Sequence, residues 1–124
     1  MPFLCAWGSL GSGAAWVEPV GELDLATAPQ LEETLEAAQA SARLVVLDLR
    51  RLTFLDSTGV HLVIDAGTQA RRSGHRLVVI RGTGQVQILF ALMNTSQCVE
   101  MLDLPTSQPA VEVLVELARS GVAA

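Results

Sequence analysis

Two short stretches hold the residues best suited to chemistry: Gly21-Glu22-Leu23-Asp24 and Asp56-Ser57-Thr58-Gly59. Glu22, Asp24 and Asp56 bring carboxylates, Ser57 and Thr58 hydroxyls, and Gly59 closes the second stretch. Paired carboxylates do acid–base work only where a cleft separates their pKa values. A serine nucleophile wants a nearby histidine base. His61 lies four residues beyond Ser57, which is weak support for that geometry, and His75 opens a later strand expected at the opposite edge of the sheet. A domain with short loops has little from which to build a cleft, so catalysis by these groups is not expected. Metal chemistry is not expected either, because His61, His75, Cys5 and Cys98 lack ligand spacing. Gly82-Thr83-Gly84 is superficially like a nucleotide loop, but it lacks the third glycine and there is no lysine to reach phosphates. A turn into a helix is its expected role. On local pattern alone, Asp24, Asp56 and Ser57 read as helix caps.

Composition narrows the partners. All 8 basic residues are arginine, which removes a P-loop lysine, a Schiff base or a lysine general base. Thirteen acids against those 8 bases leave a net charge of -5, and scattered arginines on an acidic chain do not make a nucleic-acid surface. With 50% hydrophobic and 17% charged residues the 124-residue chain is expected to fold as one domain, spanning 1–124. The charge-poor stretch 1–17 has no basic n-region and is broken by glycines, which makes it a poor signal peptide. The stretch 82–99 is too polar to span a membrane. Nothing indicates export, so the two cysteines are expected as free thiols in the cytoplasm.

The polar stretches must be held by secondary structure. Apolar runs at 3–7 and 14–20, split by a glycine- and serine-rich segment, predict a hairpin. Pro19 gives no ladder hydrogen bond and belongs at an edge or a bulge. Glu22 and Asp24 then follow a strand ending near Val20. Thr27 with Gln30 is a capping-box pattern, and Pro29 suits the first turn of a helix running to about Gln39. Leu31, Leu35 and Ala38 form its inward stripe, with Glu32, Glu33 and Glu36 facing water. The run 44–49 reads as a strand covered on both faces. After Arg50 to Leu55, Asp56 or Ser57 caps a helix with Val60, Val63, Ile64, Gly67 and Ala70 on one face, stopped by Gly74. A strand at 77–80, a helix at about 84–93 with Ile88, Leu89 and Leu92 inward, and a short strand at 99–102 follow. Ser107 then caps a closing helix with Val111, Leu114, Val115 and Ala118 apolar, ended by Gly121. The pattern predicts an α/β fold: an N-terminal hairpin, then alternating strands and helices on a mostly parallel sheet. Functional groups in such sheets gather where strands end and helices begin. Were the strands before Asp24 and Ser57 neighbours, about 4.8 Å apart, Asp24 would come up beside Ser57.

GELDLATAPQLEETL, then LVVLDLRRLTFLDSTGV, then RLVVIRG together resemble a STAS domain of the bacterial anti-sigma factor antagonist type, over roughly 14–119. DSTG alone is a weak signal; after LVVLDLRRLTFL, with GELD upstream of a helix, it is a strong one. The resemblance implies a STAS fold and a phosphorylatable serine, Ser57, beside an acidic residue, Asp24, with Glu22, Asp56, Thr58 and Gly59 in supporting or partner-binding places. It implies a partner, a cytoplasmic anti-sigma factor that is a serine kinase of the histidine-kinase-like ATPase superfamily. Binding it frees a sigma factor, phosphorylation breaks the complex, and a PP2C-type phosphatase restores it. The domain is then a substrate and a ligand rather than an enzyme, and no cofactor is expected.

Elementary electrostatics agrees with such a switch. A helix N-terminus tolerates an added anion, yet a phosphate of about -1.5 to -2 charge beside two carboxylates crowds a docking surface. Two other readings stay open: a STAS subunit of a lipid-transport ATPase complex, and a small-ligand or nucleotide-binding module using the strand-end loops.

Overall fold

The computed structural model describes residues 2–9, 13–93, 99–110 and 112. Its N-terminal hairpin pairs β1 (Leu4–Ser9) antiparallel with β2 (Ala14–Leu23), Leu4 opposite Val20 and Ser9 opposite Ala15. In chain order there follow α1 (Ala28–Ser41), β3 (Leu44–Asp48), β4 (Leu52–Leu55), α2 (Ser57–Arg72), β5 (Arg76–Ile80), α3 (Gln85–Leu92) and β6 (Glu100–Leu102). The strands lie in the order β1-β2-β3-β5-β6, every pairing after the hairpin being parallel, with β4 on β2 off this path. This is the expected mixed α/β sheet.

β2 does more than the hairpin reading allowed. It pairs with β3 over Ala14–Val17, leaves it, and pairs with β4 over Gly21–Leu23 with a register shift between Gly21 and Glu22. Pro19 falls in the interval between the two partners, next to that irregularity, where a residue without an N–H is tolerated. The strand therefore runs through Glu22 rather than ending near Val20. β4 itself is absent from the sequence reading, because four residues whose two middle members are exposed show neither alternation nor a buried run.

The central strand β3 is buried along its whole length, as a strand covered on both faces must be. Its period of two sorts the core. Val45 and Leu47 join Ala15, Val17 and Val79 under the helices, where Leu31, Leu35 and Ala38 of α1 and Val60 and Val63 of α2 pack. Leu44 and Val46 join Ala14, Val78 and Ile80 on the second face, against which Trp16, Leu102, Leu104 and Ala110 rest.

Three local expectations are corrected. Thr27 makes no side-chain cap bond to α1, because its hydroxyl is turned back onto the preceding strand. Ile88 and Leu92 of α3 are exposed, at 58% and 77%, whereas Val86 and Phe90 are buried; Leu89 is half-buried against the core. The helix is apolar nearly all round, so periodicity could not choose its face. Gly82 helps to choose it: a Cβ there would meet Val86 Cγ1 at 2.5 Å and the Leu49 carbonyl oxygen at 3.1 Å, so the bare glycine leaves room for Val86 on the buried side. Ser107 lies in a turn and helical backbone begins at Ala110; Val111, Leu114, Val115, Ala118 and Gly121 lie outside the described residues.

Candidate functional site

The parallel pairing of β2 with β4 builds the site. Leu23 stands opposite Leu55, and the Asp56 N–H donates to the Leu23 carbonyl at 3.3 Å. Asp24 and Asp56 are thus the first residues beyond two adjoining strand ends. The 44–49 strand is a neighbour of the first half of β2, as expected, but at the Asp24 end the neighbour is β4, and this second contact carries Ser57 to the same end of the sheet as Asp24.

Each carboxylate holds its own turn. Asp56 has extended backbone and caps α2, its Oδ1 accepting from the Gly59 N–H at 3.2 Å. Asp24 Oδ1 accepts from the N–H groups of Ala26 at 2.9 Å and Thr27 at 3.1 Å. The Thr27 hydroxyl donates to the Glu22 carbonyl at 2.8 Å and accepts from the Asp24 N–H at 3.0 Å. Asp24 therefore organises the turn into α1, the task the capping-box reading gave to Thr27. The capping reading of Asp56 holds, and it frees Ser57 from that duty.

Ser57 is the first helical residue and is exposed, as is Glu22; Thr58 is half-buried and Gly59 buried. Gly59 fits because it has no side chain: a Cβ would lie 2.5 Å from Leu55 Cδ1 and 2.8 Å from Leu23 Cδ2. The start of α2 thereby packs onto the two strand ends and holds Ser57 above them. No arginine occurs in 21–27 or 53–61, the two stretches that hold Glu22, Asp24, Asp56 and Ser57. Exposed Leu25, in the turn before α1, and Phe54, on β4, add apolar surface at this end of the sheet. Both are contact-prone features that patterning alone left unnoticed.

The remaining candidates stand elsewhere. His61 is exposed on the next turn of α2, and His75 is half-buried before β5, its N–H donating to the Ala70 carbonyl. Cys5 is a free, half-buried thiol whose pKa is pushed up by burial, against a smaller opposing hydrogen bond with Thr34. Cys98 lies outside the described residues. Among the described residues no cluster of three His, Cys, Asp or Glu side chains is gathered for a metal ion, and no helix is long and apolar enough to cross a membrane. A pair that sequence reading missed lies on the second face: Asp48 with Arg50, at 2.8 Å. Its signal was present, since a charged residue ending a fully buried strand must find a partner.

A mixed sheet backed by helices, with an exposed serine heading the helix after a short parallel strand, defines an α/β domain with a candidate surface site. Residues 12–104 match the family described as Mlab, STAS domain. The anti-sigma-B factor antagonist of Listeria monocytogenes serovar 1/2a is 30% identical over 82 residues, covering 65% of this chain and 72% of that protein. The solved anti-sigma factor antagonist SpoIIAA in its unphosphorylated form superimposes with a TM-score of 0.75 at 18% identity, over 94% of this chain and 97% of that one. The Bacillus cell fate determinant SpoIIAA in its phosphorylated form gives 0.67 at 19% identity, over 89% and 99%. The chain belongs to the STAS domain family.

Proposed function

We propose that this protein is an anti-sigma factor antagonist whose docking is switched by phosphorylation of Ser57. The observation that carries the reading is an exposed serine at the first position of α2, behind an N-cap carboxylate on Asp56 and at the same sheet end as Asp24. The name of the Listeria relative supports the antagonist role, and that relative shares enough sequence to be homologous. The partner is a cytoplasmic anti-sigma factor serine kinase of the histidine-kinase-like ATPase superfamily, and a PP2C-type phosphatase reverses the modification. The domain transfers nothing itself; it is bound and modified.

The chemistry follows from position. The Ser57 hydroxyl takes a phosphoryl group without any change in the core, because the strand ends and Gly59 beneath it stay packed. The α2 N-terminus offsets part of the new charge. Asp24, Asp56 and Glu22 do not, and an anion of about -1.5 to -2 charge among three carboxylates repels any partner surface shaped for the neutral serine. Docking ends while the fold persists.

The test is incubation with the cognate kinase and ATP, intact mass, and mapping of any phosphate. We expect one phosphate on Ser57, none on Ser57→Ala, and unchanged acceptance by Thr58→Ala. Ser57→Ala stays bound to the kinase, and Ser57→Glu binds at least about tenfold more weakly, the equivalent of about 1.4 kcal/mol. Wild-type affinity of Ser57→Glu together with phosphate elsewhere or nowhere defeats the reading.

A further inference from the structure

We propose that the two ends of α2 are complementary contact surfaces between copies of this chain: the arginine-bearing end of one copy takes the acidic Ser57 end of the next. Arginines that are scattered in the sequence are gathered by the fold. Arg71 and Arg72 close α2, and the turn that follows is tied back to it. There the Gly74 N–H donates to the Arg71 carbonyl at 3.2 Å and the His75 N–H to the Ala70 carbonyl at 2.7 Å. The chain then enters β5 at Arg76, whose N–H donates to the Arg43 carbonyl at 2.7 Å. Four of the 8 arginines therefore stand at the end of the sheet where β3 and β5 begin. Arg76 is matched by Glu100, its Nε donating to Oε1 at 2.8 Å. Arg43 and Arg72 are exposed, and among the described residues neither makes an ion pair.

The other end of α2 has the opposite sign. Glu22 is exposed there, and the Asp24 and Asp56 carboxylates hold their turns through N–H groups, which leaves their charge in place. The arginines that follow the strands at this end already face acids: Arg50 on Asp48 at 2.8 Å, Arg81 on Asp103 at 2.9 Å, and Arg51 towards Glu18 at 3.9 Å. The α2 macrodipole runs against both patches, but it brings only about half a charge to each helix end. The side chains outside the described residues add one acid, Glu116, and one base, Arg119, so they shift either end by a single charge at most. The 16 residues of α2 part the two patches by about 24 Å, well beyond the Debye length of about 8 Å at physiological salt. The patches therefore do not neutralise one another within a molecule. A second copy presents to each of them a surface of the opposite sign. Like ends repel, so the contact joins unlike ends and is heterologous. The carboxylates carry their charge whether or not Ser57 is modified, so this inference stands apart from the proposed function.

Sedimentation velocity of the full chain over a range of concentrations tests this. At about 0.1 M salt the mean mass is expected to rise with concentration, and at about 1 M, where the Debye length falls to about 3 Å, the chain is expected to be monomeric. Arg43→Glu with Arg72→Glu reverses the basic end. Glu22→Arg with Asp24→Asn reverses the acidic end and keeps an oxygen for the Ala26 and Thr27 N–H groups. Like charges then meet, and each double variant alone is expected to associate at least about tenfold more weakly. Mixed in equal amounts, the two are complementary again and are expected to form pairs of one each. Circular dichroism checks the fold of both, and the salt series needs no variant at all. A wild-type chain that stays monomeric throughout, or an association that salt leaves unchanged, overturns the proposal. So do folded variants that associate as wild type does or fail to pair when mixed. A monomeric chain whose basic end binds polyglutamate overturns it as well, since the occupant is then an acidic partner of another kind.

Discussion

Ser57 and the glycine two residues on divide the work at the site. The serine is available for modification because Asp56 carries the cap, and the glycine brings the helix start down onto Leu23 and Leu55. Gly59→Ala places a methyl group where two leucine side chains already stand, and overpacking of this kind costs about 1–3 kcal/mol. We expect a lowered Tm and a displaced Ser57; a variant as stable as wild type means that the leucines move aside freely. Asp24 separates structure from charge. Asp24→Asn keeps a carbonyl oxygen for the Ala26 and Thr27 N–H groups but removes the negative charge. Its Tm is expected to stay within a degree or two of wild type, a shift of about 0.5 kcal/mol or less, while kinase affinity or phosphorylation rate changes severalfold. Paired measurements decide it: a large drop in Tm with normal binding makes Asp24 a turn residue and nothing more.

Among the elements, α3 is where patterning failed most clearly, and it supplies the sharpest stability contrast. Val86 and Phe90 are buried whereas Ile88 and Leu92 are exposed. Phe90→Ala is expected to cost about 3–5 kcal/mol, against about 0.5 kcal/mol or less for Ile88→Ser or Leu92→Ser. Denaturation midpoints of the three variants check this, and equal losses at positions 88 and 90 refute the observed facing. The strands and helices with one strong period were legible beforehand. LVVLD could only be a doubly covered strand, and the stripes of α1 and α2 were one-sided. What stayed hidden depended on partners distant in sequence. β4 exists because β2 is long enough to pair twice, and α3 takes its face in part from a close approach at Gly82. The same holds for the site. The Asp-Ser-Thr-Gly cap was readable from local chemistry, but the placing of Asp24 at the same sheet end comes from a β2–β4 ladder that no local window contains.

At the scale of the molecule the sheet has two unlike faces, and the second one carries a pH dependence of its own. Glu18 of β2 lies there half-buried, with Asp48, Arg50 and Arg51 around it. Burial raises its carboxyl above the ordinary value; repulsion from Asp48 and a hydrogen bond to it act in the same direction, while Arg51, 3.9 Å away, and Arg50 oppose them. The folded chain therefore binds this proton more tightly than the unfolded chain does. Where the folded state holds more protons, stability falls as pH rises. The loss begins at the ordinary glutamate range, about pH 4.3, and is complete once the pH exceeds the raised folded value. At neutral pH the ionised Glu18 is thus a standing cost to the fold. Glu18→Gln keeps the shape, offers an amide N–H to Asp48, and has no proton to lose. We expect it to melt above wild type at pH 7, with the gap closing towards about pH 4, where Glu18 is largely protonated in both states. Melting curves of both proteins at the two pH values decide the matter. A variant that melts lower at pH 7, or a gap that does not change with pH, would mean that the Arg51 contact outweighs burial and that Glu18 stabilises the second face as an anion.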